Sequence, residues 1–181
     1  MPVYPYEGVS PEIEQDVLLA PGAMAVGRVK IGEGSSVWYN AVIRGDVHDV
    51  VIGRYTSIQD GTLIHEDSGR GSGLDGGLPT VVGDYVTVGH GVILHACRVE
   101  DYALAGMGAI IMDGAVVGKG SVVGAGALVT KNTLIPPFSV VLGSPARVVR
   151  TLPESSIEQR KEQAMHYHGL AQAHLRMLSK Q

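Results

Sequence analysis

Residues 99–141 read VEDYALAGMGAIIMDGAVVGKGSVVGAGALVTKNTLIPPFSVV. An apolar residue recurs at every sixth place: Val99, Ala105, Ile111, Val117, Val123, Val129, Ile135 and Val141. Two places before each stands a small residue: Cys97, Ala103, Ala109, Ala115, Ser121, Ala127, Thr133 and Ser139. A period of six fits neither the 3.6-residue helix nor one long alternating strand. It fits short strands in which two alternate side chains point inward, each strand followed by a turn. The larger residue fills the core and the small one fits the corner. Three such faces close one coil of 3 × 6 = 18 residues, a triangular prism.

The same spacing runs upstream in other phases. Ile31, Val37 and Ile43 form one, Ile52, Ile58 and Ile64 a second, Val82, Val88 and Leu94 a third, with a weaker start at Ile13, Leu19 and Ala25. Composition agrees. The 181 residues include 25 glycines, about 14% against a usual 7% or so, yet aromatics are only 5%. That excludes an ordinary helical bundle and an aromatic base-stacking surface. A net charge of −4 gives no case for a nucleic-acid partner, and 45% hydrophobic with 18% charged residues argues against disorder. The single cysteine, Cys97, excludes an intramolecular disulfide and a cysteine metal cluster. It falls in a small-residue corner slot and reads as packing. Met1-Pro2-Val3-Tyr4-Pro5 lacks the pattern of a signal peptide, and no apolar run approaches the roughly 18 residues of a membrane span. A cytoplasmic protein without membrane partner is expected. The repeat should occupy residues 1–152. Residues 153–181 should form a helix packed on the prism or on a neighbouring subunit, with Ser155 and Glu158 as a capping box. Its apolar stripe is Ile157, Ala164, Tyr167, Ala171, Leu175 and Leu178.

Function is sought where the period breaks. From Ile43 to Ile52 the spacing is 9, an insertion of three; from Ile64 to Val82 it is 18, an insertion of twelve. The second insertion, about 66–79, is rich in Gly, Ser and Asp and reads as a loop. With the insertions removed, Ile43, Ile64 and Leu94 stand one coil apart. The residues after them, Arg44, His65 and His95, therefore stack on successive coils of one face. Adjacent coils lie about 4.8 Å apart. Two imidazoles at that spacing can converge on one metal with bonds of about 2.0–2.1 Å. His90 follows Val88 by two places and falls on a different face; a neighbouring chain across a three-fold interface could present it to the same ion. Three neutral histidines and an open water position are the pattern of a catalytic zinc site. His48, His166, His168 and His174 share no such register and read as structural or solvated. Arg44 and Asp46 read as an ion pair that fixes geometry, whether at the site or as a plain interface salt bridge. Gln59 is placed to orient water or substrate.

These residues carry a resemblance. Ile43-Arg44-Gly45-Asp46-Val47-His48, then Ser57-Ile58-Gln59-Asp60-Gly61 with His65, then Val88-Gly89-His90-Gly91 with His95, resemble the gamma-class carbonic anhydrases. The likeness runs from about residue 12 to the C-terminal helix, and Gly143-Ser144-Pro145-Ala146-Arg147 looks like the usual end of the repeat domain. It implies an all-β fold, a left-handed parallel β-helix of hexapeptide repeats with a C-terminal α-helix. It also implies a homotrimer with zinc, or iron or cobalt, at each interface, held by His65 and His95 of one chain and His90 of the next. Arg44 and Asp46 match the family's interface ion pair, Gln59 a residue that contacts metal-bound water, Asp60 its structural partner, and Tyr167 a helix tyrosine that reaches the site. The implied reaction is reversible hydration of carbon dioxide to bicarbonate by metal-bound hydroxide, with Gln59 orienting it and Arg44 holding the anionic product. Val47 and Ser68 stand where the founding member has glutamates, and Ser57 stands where the family has an asparagine. The chain thus looks closer to the shorter subclass without the acidic loop, and no residue is assigned to proton export. Two alternatives stay open: acyl-coenzyme A thioester cleavage or acyl transfer on the same scaffold, and a non-catalytic metal-binding trimer.

Overall fold

A computed structural model describes residues 3–69 and 76–180. The repeat appears as parallel two-residue strands, among them Leu104–Ala105, Ile110–Ile111, Val116–Val117, Val122–Val123 and Leu128–Val129. Each presents one side chain outward and one inward. The inward set is the core: Ile31, Ile43, Ile52, Ile58, Ile64, Leu94 and Ile111 are all 0–1% exposed. The small residues Ala103, Ala109, Ala115, Ser121 and Ala127 are equally buried at the corners. Between strands the chain turns through left-handed backbone, and at Gly120 (φ 67°) an added Cβ would lie 2.8 Å from the Phe138 ring. The coils form a left-handed parallel solenoid of ~7 turns with a single C-terminal helix.

Register follows the counted phases. Ile13 lies opposite Ile31, Leu19 opposite Val37, Ala25 opposite Ile43, and Ile43 opposite Ile64, which in turn lies opposite Leu94. The three-residue insertion does not leave the prism. It is absorbed in one long strand, Val42–Ile52, paired with Met24–Ile31. Gly27 lies opposite Gly45 and Val29 opposite Val50, so residues 46–49 bulge against the single residue Arg28. The twelve-residue insertion starts as expected: Asp67 and Leu78 bridge antiparallel at its base. Residues 70–75 of that loop lie outside the described residues.

The repeat ends where strand Ser139–Gly143 folds back antiparallel on Ala146–Thr151. The helix Ser156–Leu178 then returns along strands Leu18–Leu19, Ser36–Val37 and Ser57–Ile58 of the same chain. Ala171 packs with Leu18, Ala20 and Trp38, joined by Tyr167, Leu175 and Leu178. The Trp38 Nε1–H donates to the hydroxyls of Ser36 and Ser57, each at 3.0 Å. The capping box does not form. Ser155 already has helical backbone (φ −60°, ψ −15°) and makes no side-chain cap bond, whereas an N-cap side chain works from extended backbone. A tight turn serves instead: the N–H groups of Ser156, Ile157 and Glu158 donate to the carbonyls of Pro153, Glu154 and Ser155. Among the described residues no helix is long and apolar enough to cross a membrane.

Candidate metal centre

His65 and His95 end the strands Leu63–His65 and Ile93–His95, which pair in parallel with the two histidines directly opposite. Their ring centroids are 5.3 Å apart, and Nδ1 of His65 lies 3.3 Å from Nε2 of His95. Each ring's far nitrogen meets a carboxylate. Nε2 of His65 is 3.0 Å from Asp46 Oδ1, and Nδ1 of His95 bonds Asp113 Oδ1. Each carboxylate is gripped by a cation. Arg44 Nη1 lies 2.7 and 2.5 Å from the two oxygens of Asp46, and Lys131 Nζ lies 2.5 Å from Asp113 Oδ2. Burial pushes the Asp46 carboxyl up, but the hydrogen bonds from Arg44 and His65 outweigh it and hold it below the usual value. Asp113 behaves alike: burial raises it, and Lys131 and His95 more than reverse that.

Both carboxylates therefore remain anionic acceptors at neutral pH. Each draws the N–H of its histidine to the far nitrogen, which leaves the near nitrogens as lone pairs aimed at a shared point. Two nitrogens bound tetrahedrally to one zinc at about 2.05 Å stand about 3.3 Å apart. The observed gap fits that edge, so His65 and His95 suit a single ion between them.

A second donor group overlaps this one. Asp46, His65 and Glu66 offer ligand atoms within 4.8 Å of one another. Glu66 is 0% exposed. Its Oε1 accepts from the N–H of Val47 at 2.7 Å and of His48 at 3.1 Å, so it ties down the bulge made by the three-residue insertion. Its Oε2 lies 3.4 Å from His65 Nε2 and accepts no hydrogen bond among the described residues. Arg44 already neutralises Asp46, and backbone donors already hold Glu66. The imidazole pair, with two lone pairs free, is the better metal seat.

The remaining sequence candidates gather elsewhere. Gln59, His90 and Tyr167 line one cleft of ≈ 240 Å³, with Leu104, Met107 and Gln163. Gln59 is 3% exposed, and its Nε2 is buried without a partner among the described residues. Asp60 Oδ2 lies 2.9 Å from His90 Nδ1, which leaves the ring's Nε2 outside that contact. His90 sits in the turn before strand Ile93–His95, whereas His95 ends that strand. One chain thus carries two half-sites at opposite ends of the strand: Arg44, Asp46, His65 and His95 at one, Gln59, Asp60, His90 and Tyr167 at the other. Sequence reading missed Asp113, Lys131 and the role of Glu66. The first two were countable, because Asp113 follows His95 by 18 residues and Lys131 follows Asp113 by 18. Glu66 gave no periodic signal.

The fold and site together define a solenoid of hexapeptide repeats that carries a candidate metal centre of paired, carboxylate-backed histidines. The family description "Bacterial transferase hexapeptide (six repeats)" matches residues 96–131. The chain is 54% identical over 160 residues to the "Probable carbonic anhydrase" of Methanocaldococcus jannaschii, covering 88% of this chain and 96% of that protein. It is 47% identical over 165 residues to "Gamma carbonic anhydrase 2, mitochondrial" of Arabidopsis thaliana, covering 91% of this chain and spanning 59% of that relative's length. A solved hexapeptide transferase family protein from Anaplasma phagocytophilum superposes with a TM-score of 0.85 at 37% identity, covering 94% of this chain and 96% of the other. The chain belongs to the gamma carbonic anhydrase family of hexapeptide-repeat proteins.

Proposed function

We propose that this protein is a cytoplasmic homotrimeric carbonic anhydrase that interconverts carbon dioxide and bicarbonate at three metal centres between its chains. The separation of the two half-sites carries this reading. Between them lies an outward column in register: Met24, Val42, Leu63, Ile93, Ile110 and Leu128. Leu63 is 48% exposed and Ile93 36%. An apolar face with a different incomplete site along each edge is suited to head-to-tail contacts that close into a ring. Three copies, each turning this face to a common axis, would set His90 of one beside His65 and His95 of the next.

His65 and His95 of one chain and His90 of the next would hold a zinc ion, or iron or cobalt in its place, which would lower the pKa of water to about 7 and so supply hydroxide at neutral pH. The protein's own groups do the rest. Asp46 and Asp113 hold the histidine rings in the binding tautomer. The unpaired amide N–H of Gln59 is a donor for an oxygen of water or bicarbonate. Leu104, Ala105 and Met107 give the cleft an apolar wall suited to carbon dioxide, with Tyr167 closing it from the helix. Arg44 spends only Nη1 on Asp46, which leaves guanidinium N–H groups for an anionic product.

Stopped-flow hydration by the metal-loaded protein tests the reading. A carbon dioxide-dependent rate that His90→Ala abolishes is expected. A fully loaded wild-type protein no faster than His90→Ala would overturn the reaction. Coenzyme A binding in the same preparation would redirect the assignment to acyl chemistry.

A further inference from the structure

We propose that Asp113 and Lys131 act as a two-residue tautomer lock that decides which nitrogen of His95 is open to metal. This rests on the metal-centre reading and adds a positioning pair to it. The two oxygens of Asp113 have separate partners: Oδ1 bonds His95 Nδ1, and Oδ2 lies 2.5 Å from Lys131 Nζ. A carboxylate can only accept and an ammonium can only donate. Oδ1 therefore offers His95 only an acceptor, and the ring proton sits on Nδ1, while Lys131 occupies Oδ2 and fixes which end of residue 113 faces the ring. Nε2 then keeps its lone pair, 3.3 Å from His65 Nδ1. Asp113 is only 7% exposed, so solvent offers the ring little alternative there.

The lock has a consequence that a merely structural contact lacks. An asparagine at position 113 has one oxygen. Lys131, being donor-only, claims it, and the amide N–H then faces Nδ1 of His95. Nδ1 must accept, the proton moves to Nε2, and the metal-facing nitrogen is closed. Removing Lys131 as well frees the amide to turn its oxygen toward His95, which restores the binding tautomer. The second substitution therefore repairs the first. Loss of packing alone would make the double variant worse than either single one, and an unpaired Lys131 charge alone would weaken zinc binding in Asp113→Asn with the His95 ring proton still on Nδ1.

The test uses full-length protein and zinc ion alone. Zinc affinity is measured by competition with a chromophoric chelator for wild type, Asp113→Asn, Lys131→Met and Asp113→Asn/Lys131→Met. The His95 tautomer is read by ¹⁵N NMR on the neutral ring of the zinc-free protein. Expected are an Nδ1–H ring in wild type, an Nε2–H ring with zinc binding weakened about 10–100-fold in Asp113→Asn, and recovery of most of that loss in the double variant. An Nε2–H ring in wild type overturns the proposal, and so does a double variant that binds zinc no better than Asp113→Asn. If Asp113→Asn does not fold, the wild-type tautomer decides. A wild-type protein that binds no zinc defeats the metal-centre reading instead, while the tautomer still reports on the lock.

Discussion

At the scale of single residues, side-chain size and burial explain more than charge. Cys97 fills a corner slot and is 3% exposed. Burial pushes its thiol up from 9.0 to about 12, against a smaller opposing effect of its hydrogen bond at the His95 backbone. Above pH 9 the unfolded chain releases a proton that the folded chain retains. The resulting stability is complete below pH 9 and is lost as pH rises toward 12. Iodoacetamide at pH 8 should leave native Cys97 unlabelled and react once guanidinium unfolds the chain; equal rates in both states would contradict the packing role. Cys97 was legible in the sequence because the repeat assigns its slot. Glu66 was not. A fully buried carboxylate violates the composition rule for interiors, and only the bulge that closes over it supplies the two N–H donors that make burial tolerable.

Secondary-structure elements approach closely where Val42–Ile52 lies against Met24–Ile31. A Cβ on Gly45 would stand 2.5 Å from the carbonyl oxygen of Arg28. Gly45→Ala must therefore shift backbone between Arg44 and Asp46. It is expected to destabilise the fold by about 1–3 kcal/mol and to weaken zinc binding, both readable on one sample by thermal unfolding and chelator competition. At the opposite face, Trp38 anchors the helix. Trp38→Ala should cost about 3–5 kcal/mol in urea unfolding followed by circular dichroism, since it empties the contact with Tyr167 and Ala171 and strips the Ser36 and Ser57 hydroxyls of their donor. A loss under 1 kcal/mol would show that the helix holds on without it. The helix stripe was readable from spacing. Its entry was not, because capping depends on the backbone angles of Ser155, which the preceding turn at Pro153 sets.

For the whole molecule, the face built from Leu63, Ile93 and Ile110 is apolar and exposed, and it is the face on which the proposed trimer would form. Leu63→Lys places a charge in the middle of it. On the proposed trimer, sedimentation should shift from three chains to one, and zinc binding should weaken with it, because that assembly draws His90 from the neighbour. A Leu63→Lys variant that stays trimeric with full zinc affinity would remove this face from the interface. The core should be indifferent to the change, since Leu63 points outward while Ile64 beside it is 1% exposed.

The sequence by itself determined the coil, its register and the opposition of His65 and His95. Each hexad is a local event, a short strand and a turn, and parallel stacking repeats it at a constant offset. Residues far apart could therefore be aligned by counting once the insertions were subtracted. The tertiary structure decided which groups back those histidines and which stand apart from them. Asp113 and Lys131 reach the site from later coils, and Asp46 reaches it from a bulge. His90 is held away by the length of a strand. Counting places Asp113 and Lys131 in the column of His95, but their contacts depend on where long polar side chains end, and a pattern of buried apolar positions carries no record of that.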